Sequence, residues 1–268
     1  MPNGAPDLSF GTHGQYSAAA PIYAVQVMPN QNIVVASQTY TGTEVVLTAL
    51  GVNGQIAPAF GSSGVFTYTP APLENGSTRF CFSISLILQS NQLLIYGKTY
   101  AYSGGPIGYC LTGVLVRVTE LGQLDTGFVV KGTLPTPYRR DGRHVAANDQ
   151  AIFLVEDTYT MSWTCNNARD FCYGGSTNLW RYDPNGRPDS KTRVWALIRQ
   201  GSEMNTVSAS GLDGYINGIA LDSKGRILAA HTAVDPDKNP NLYEPYARVN
   251  LTRLALASDF TRLPVVMR

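Results

Sequence analysis

Apolar residues along this chain fall into short continuous runs, each entered from a polar turn. The clearest is Asn32-Ile33-Val34-Val35-Ala36-Ser37. It returns as Gln92-Leu93-Leu94-Ile95-Tyr96-Gly97, as Gln150-Ala151-Ile152-Phe153-Leu154-Val155 and as Arg226-Ile227-Leu228-Ala229-Ala230-His231. The interval is about sixty residues, the signature of a repeat architecture. A run of about five apolar residues bounded by turn formers is too short for a buried helix and reads as a strand covered on both faces. A strand of alternating character precedes it, carried by Tyr23, Val25 and Val27, by Phe82, Ile84 and Leu86, and by Ile216, Ile219 and Leu221. The third copy of this strand is the weakest, with only Val145-Ala146-Ala147 after a basic stretch.

A third strand follows in every copy, at 44–48, 113–117, 178–182 and 247–251, and a turn after it reads Asn53-Gly54, Leu121-Gly122 and Asn185-Gly186. Next comes a punctuating mark: Asp7-Leu-Ser-Phe10-Gly11, Ala57-Pro-Ala-Phe60-Gly61, Asp125-Thr-Gly-Phe128, Asp189-Ser-Lys-Thr192 and Ser258-Asp259-Phe260. Short linking strands are expected after the marks, at 14–18, 64–68, 131–134, 194–198 and 263–267. Four-stranded antiparallel units that cannot cover their own apolar faces are what a β-propeller stacks about an axis. The pattern therefore predicts an all-β chain, a β-propeller of about four four-stranded antiparallel blades with the ring closed by terminal strands. A single domain spans 1–268, with repeats at 10–60, 61–128, 129–192 and 193–260 and a closing strand at 261–268. A β-sandwich or an irregular stack of hairpins is the alternative. Four copies close a small ring, leave a gap, or are completed by a neighbouring subunit.

The Asp-x-Ser-Phe-Gly mark, the Pro29-Asn30-x-x-Ile33-Val34-Val35-Ala36 run and the Asn-Gly before the next mark resemble the delta-60 repeat, a bacterial propeller-forming repeat of longer secreted or surface proteins. The likeness is close in the first repeat, fair in the second and degraded in the third and fourth. It implies one blade per repeat and brings no catalytic residues.

Charge narrows the functional classes. Of 268 residues, Lys and Arg contribute 20 and Asp and Glu 19, a formal charge of +1 that gathers neither nucleic acid nor anionic lipid. Only 15% of residues are charged, while 26 Gly, 16 Pro and 15 Tyr suit many strands and turns. No stretch approaches the ~20 apolar residues of a membrane span. The first residues lack a basic and an apolar region, so no signal peptide is read there. Cys165 and Cys172 bracket a hairpin loop where a disulfide is geometrically easy. Cys81 and Cys110 start the first and third strands of one repeat, too far apart to bond with a strand between them.

Catalytic motifs are lacking: no Gly-x-Ser-x-Gly, no His-Glu-x-x-His and no phosphate loop. His231 closes a buried run, His144 ends the basic loop 138–144, and a hydrolase or lyase in a central channel would have only His231 and Glu156 to work with. Asp235, Asp237 and Asn239 alternate as in a calcium loop, but Pro240 stands where such loops place glycine. No cofactor or metal is expected. Loops rich in tyrosine and tryptophan suit protein or sugar partners, and Tyr100, Tyr102, Tyr109, Arg139, Arg140, Arg143, Trp163, Tyr243 and Tyr246 are the partner-binding candidates. The expected function is a non-catalytic structural or protein-interaction module, not an enzyme, in an exported particle such as a bacteriophage tail or virion surface. The alternative is a bacterial secreted or cell-surface propeller recognising protein or glycan.

Overall fold

The computed structural model describes residues 4–69, 79–101, 109–128, 140–162, 172–199, 207–208, 215–234 and 247–254. Among them there is no helix, and every strand pair is antiparallel. The all-β expectation holds at this level. The chain divides into two compact units, Met1–Thr136 and Pro137–Arg268.

The N-terminal unit holds two meanders. β1 (Ile22–Val27), β2 (Ile33–Gln38), β3 (Val45–Leu50) and β4 (Val65–Tyr68) form the first sheet in that order. β5 (Arg79–Gln89), β6 (Gln92–Ala101) and β7 (Tyr109–Val118) form the second. The recurrent apolar runs are the second strands, and they are buried on both faces: Val34, Ala36, Leu93 and Leu94 are wholly covered. One face lies against the sister sheet, where Val34, Ala36, Val45, Leu47 and Ala49 meet Ile84, Leu93, Ile95, Val114, Val116 and Val118. Each such Val, Leu or Ile side chain contributes about 1.5–3 kcal/mol by leaving water, and each alanine less. The expected alternation in β1 is only partly realised, since Tyr23 packs on this core whereas Val25 and Val27 are exposed. β1 is an edge strand of its sheet, and a register irregularity between Ile22 and Ala24 takes Tyr23 out of step with Val25 and Val27.

β4 is the expected linking strand, and it completes the first sheet by pairing with β3 from Val45↔Tyr68 to Thr48↔Val65. The expected strand at 14–18 is reduced to bridges of Gln15 with Gly11 and Thr12. Those at 131–134 and 263–267, with the closing segment 261–268, lie outside the described residues.

The marks turn out to be clasps. Phe10 N–H closes a turn on Asp7 C=O, and Gly11 N–H donates to Asn53 C=O at 2.7 Å. Phe60 repeats this on Ala57, and Gly61 N–H donates to Leu121 C=O at 2.8 Å. Each Phe-Gly mark thus sits on the turn that ends the third strand of the repeat it opens. Those turns need glycine: Gly54 and Gly122 have φ of 73° and 71°. A Cβ on Gly122 would stand 2.5 Å from Gly61 N and 2.8 Å from the buried Phe60 ring.

The C-terminal unit repeats the plan. β8 (Arg140–Ala147), β9 (Ile152–Ser162), β10 (Cys172–Tyr182), β11 (Pro188–Arg199) and β12 (Val207–Ser208) form one sheet, and β13 (Tyr215–Leu221), β14 (Ile227–Val234) and β15 (Ala247–Leu254) the other. Ala151, Phe153, Val155 and Leu179 pack on Ile227, with Ile219 and Leu221 alongside. In both units first strand lies against first strand, β1 on β5 and β8 on β13. The mark at 189–192, where Thr192 replaces the phenylalanine, is not a turn here; it lies inside β11. A β-branched residue with no ring to dock favours continuing the ladder.

Gly122→Ala should therefore lower the unfolding free energy by roughly 2 kcal/mol or more, from left-handed strain plus the clash. Urea denaturation checks this, and Gly127→Ala, where φ is ordinary and the nearest atom is the Asp125 Oδ1 at 3.2 Å, should cost less.

Candidate functional site

β2 and β3 are joined by residues 39–44, a loop built to hold one ring in the open. Gly42 N–H donates to Thr39 C=O at 2.8 Å and Thr39 N–H to Glu44 C=O at 3.2 Å. Gly42 takes φ 72°, a left-handed value that glycine adopts without penalty. From beneath, the buried Gln38 donates Nε2–H to Gly42 C=O at 3.0 Å. The hydroxyls of Thr39, Thr41 and Thr43 form a chain at 3.2 and 2.8 Å, and Thr69 Oγ1 lies 3.3 Å from Glu44 Oε1. Tyr40 stands 90% exposed on this braced turn. An exposed aromatic face on a turn that also carries hydroxyls suits a sugar ring, whose C–H face stacks while its hydroxyls take hydrogen bonds.

The corresponding connections of the other sheets are 102–108, 163–171 and 235–246, outside the described residues. They contain Tyr102, Trp163, Tyr243 and Tyr246, so these candidates belong to one class of loop. Tyr100 and Tyr109 were expected in a loop but lie in β6 and β7, opposite Cys110 and Ala101. Their strands run to ten residues because Thr and Tyr extend the ladder beyond the buried run. Arg140 and Arg143, expected in a basic loop, lie in β8, with Arg143 at the irregularity between Gly142 and His144. Arg139 lies outside the described residues, as do Asp235, Asp237 and Asn239. Cys172 opens β10 opposite Ser162, and Cys165 is outside the described residues. Cys81 and Cys110 flank β6 on β5 and β7, as expected.

A buried charge in the second sheet has a different role. Arg117 Nε donates to Asp125 Oδ2 at 2.9 Å and its Nη1 to Gln89 Oε1 at 3.2 Å. Gln92 Nε2 also donates to Asp125 Oδ2, at 3.1 Å, and Gly127 N–H to Oδ1 at 2.9 Å. The guanidinium lies 4.7 Å from the Phe128 ring centre. Burial alone would raise the Asp125 pKa, but the Gly127 N–H, the Arg117 charge and the bonds from Arg117 and Gln92 together hold it below the usual carboxylate value. With its lone pairs engaged, this carboxylate fastens the mark to β7. The sequence reading missed it, although Arg181 and Asp189 repeat the same spacing in the next repeat. A similar lock closes the β13–β14 turn. Hydrogen bonds from the Arg226 side chain and N–H hold Asp222 down to about 2.

No family model and no curated protein matches the chain. Among solved structures it is similar to a polysaccharide lyase of family PL25, an ulvan lyase bound to -[GlcA(1-4)Rha3S]-, with 9% identity, a TM-score of 0.30 and coverage of 91% of this chain. A second PL25 ulvan lyase structure gives 8% identity and the same TM-score. The chain spans 59% of the length of each lyase chain. The expectation of a non-catalytic structural or protein-interaction module in an exported particle is not carried forward: the solved structures above are polysaccharide lyases and lend it no support. That expectation had rested on whole-chain repetition, near-neutral charge, tyrosine-rich loops and the lack of a nucleophile–base motif, none of which excludes chemistry by residues that are distant in sequence. A likeness of this strength assigns no activity to the chain.

Asp125→Asn should cost roughly 3 kcal/mol at neutral pH by stranding a buried guanidinium. The folded carboxyl titrates below its unfolded value near ~4, so its stabilisation is present above that pH and lost as pH falls through the lower folded pKa. In urea melts across the acid range, the gap between wild type and variant should be constant near neutrality and close towards the acid end.

Proposed function

We propose that this chain is a carbohydrate-active β-propeller of the delta-60-like kind that binds a polysaccharide at the connection between its second and third strands, β2 and β3, outside the cell where such polymers lie. The observation that carries this reading is Tyr40, almost fully exposed on a turn that Gln38 and the threonine hydroxyls fix in place. The turn's backbone is already fixed, so a ligand that stacks on Tyr40 orders only the side chain. The stretches that link the second and third strands of the other sheets contain Tyr102, Trp163, Tyr243 and Tyr246 in sequence. The ring is supported by four successive meanders and by the first-strand packing found in both units.

Affinity electrophoresis of the full chain in gels containing acidic and neutral polysaccharides tests the reading, with ultraviolet absorbance of the polymer solution as a monitor of eliminative cleavage. At least one polymer should retard the protein, and Tyr40→Ala should weaken that binding about fivefold, the value of one aromatic contact. Tyr40 is exposed, so the variant should unfold as wild type does. Absence of retardation by every polymer, or retardation unchanged in Tyr40→Ala, would overturn it.

A further inference from the structure

The Tyr40 turn carries a charge where the rest of its sheet has none. From Leu8 to Thr69, a stretch that takes in all of β1 to β4, Glu44 is the one Asp, Glu, Lys or Arg. The first Lys or Arg of the chain is Arg79, so all 20 of them lie at 79–268. Strand pairing puts Glu44 at the neck of the turn. Gln38 pairs with Val45 and Val45 with Tyr68, which makes Thr39, Glu44 and Thr69 the next row. Gln38 and Val45 are buried, and alternation points the following row to the opposite face. Thr39 N–H donates to Glu44 C=O at 3.2 Å, and Thr69 Oγ1 donates to Glu44 Oε1 at 3.3 Å. Among the described residues, Oε2 of this half-buried carboxylate takes no hydrogen bond. Tyr40 and Thr41, both exposed, and Thr43 follow Thr39 around the same turn.

The scaffold does not ask for an acid at this place. The register positions that correspond to Glu44 in the other three sheets are Thr112, Ser176 and Arg248. An exposed bond to one threonine hydroxyl adds little to folding either. What the carboxylate does bring is a strong acceptor beside an exposed aromatic ring.

We infer that Glu44 sets the ligand class of the Tyr40 site: a polysaccharide whose unit at this turn is neutral, its ring stacked on Tyr40 and its hydroxyls donating to the Glu44 carboxylate. The inference rests on the polysaccharide reading above. Hydrogen bonds to a carboxylate are roughly twice as strong as those between neutral groups, and a sugar diol offers two donors side by side. A uronate or a sulfate ester at the same place meets the Glu44 charge, and β1 to β4 contain no cation to offset it. One side chain thus both attracts the right ligand and repels the wrong one. The nearest cations in sequence, Arg79 and Lys98, belong to β5 and β6 of the second sheet.

The test is affinity electrophoresis of the full chain in polymers matched in backbone and different in charge: hydroxyethyl- against carboxymethyl-cellulose, methyl-esterified against de-esterified galacturonan, and neutral against sulfated galactan. In the pairs that retard the chain, the neutral member should bind at least about fivefold tighter at low salt. Salt gives a readout on the unmodified protein that no variant's folding can confound. Raising it should strengthen retardation by the acidic member, because the repulsion is screened, and leave the neutral member unchanged. Glu44→Gln should narrow the gap within a pair about fivefold, weakening the neutral polymer and admitting the acidic one. Tighter binding of the acidic members, acidic binding that weakens with salt or is lost in Lys98→Gln, or a gap unchanged in Glu44→Gln would overturn the inference. The polysaccharide reading survives those results, since it falls only if no polymer retards the chain or Tyr40→Ala changes nothing.

Discussion

A strand that is apolar on both faces must be covered on both, and no single sheet can do this for itself. β2, β6, β9 and β14 are such strands, with Val34, Leu93, Leu94, Phe153, Leu154 and Ile227 wholly removed from water. Hydrogen bonding to neighbours shields their edges; only another sheet shields their faces. Each compact unit therefore contains two meanders pressed together. The same positions do the packing in both, Val34 and Leu93 in one and Phe153 and Ile227 in the other. Non-directional apolar burial would allow such sheets to slide, and something directional has to fix their offset.

The Phe-Gly mark supplies that direction. A phenylalanine ring, half-buried at Phe10 and buried at Phe60, sits over the Asn53-Gly54 or Leu121-Gly122 turn, and one short backbone hydrogen bond from Gly11 or Gly61 sets the distance. Because the socket is made of backbone, it tolerates no Cβ. Where the ring is lost, at Thr192, the segment joins β11 instead, so the same stretch of a repeat becomes a turn or a strand according to one side chain.

Repeats also differ in how they fill equivalent places. Arg117 and Asp125 correspond by their backbone bonding to Ala49 and Ala57, which are joined by the same Ala57 N–H to Ala49 C=O bond. Two small apolar residues and a charge pair with its glutamines are alternative solutions, and a half-finished network would be worse than either. Such substitutions leave the scaffold intact and change its chemistry locally. Asp157, Thr177, His231 and Asn250 are the larger instance, occupying places where the N-terminal unit has Gln38, Val45, Gly97 and Val114.

The periodic runs determined by themselves that the chain is all-β, where each buried strand lies and where its hairpin turns fall, because apolar period and turn chemistry are local properties. The Arg-rich stretch at 140–144 misread as a loop, since charged residues carry no strand signal until a neighbour such as β9 offers its edge for hydrogen bonding. Tyr100 and Tyr109 moved from loop to strand because the β6–β7 ladder runs on past the buried apolar run. Which residues share a face across a seam, what socket a phenylalanine enters and which carboxylate meets which guanidinium were decided only by the tertiary structure. Some of those pairings join residues dozens of positions apart, as Gly11 with Asn53 and Gly61 with Leu121, and even the nearby Arg117 and Asp125 meet only because the mark folds back on β7.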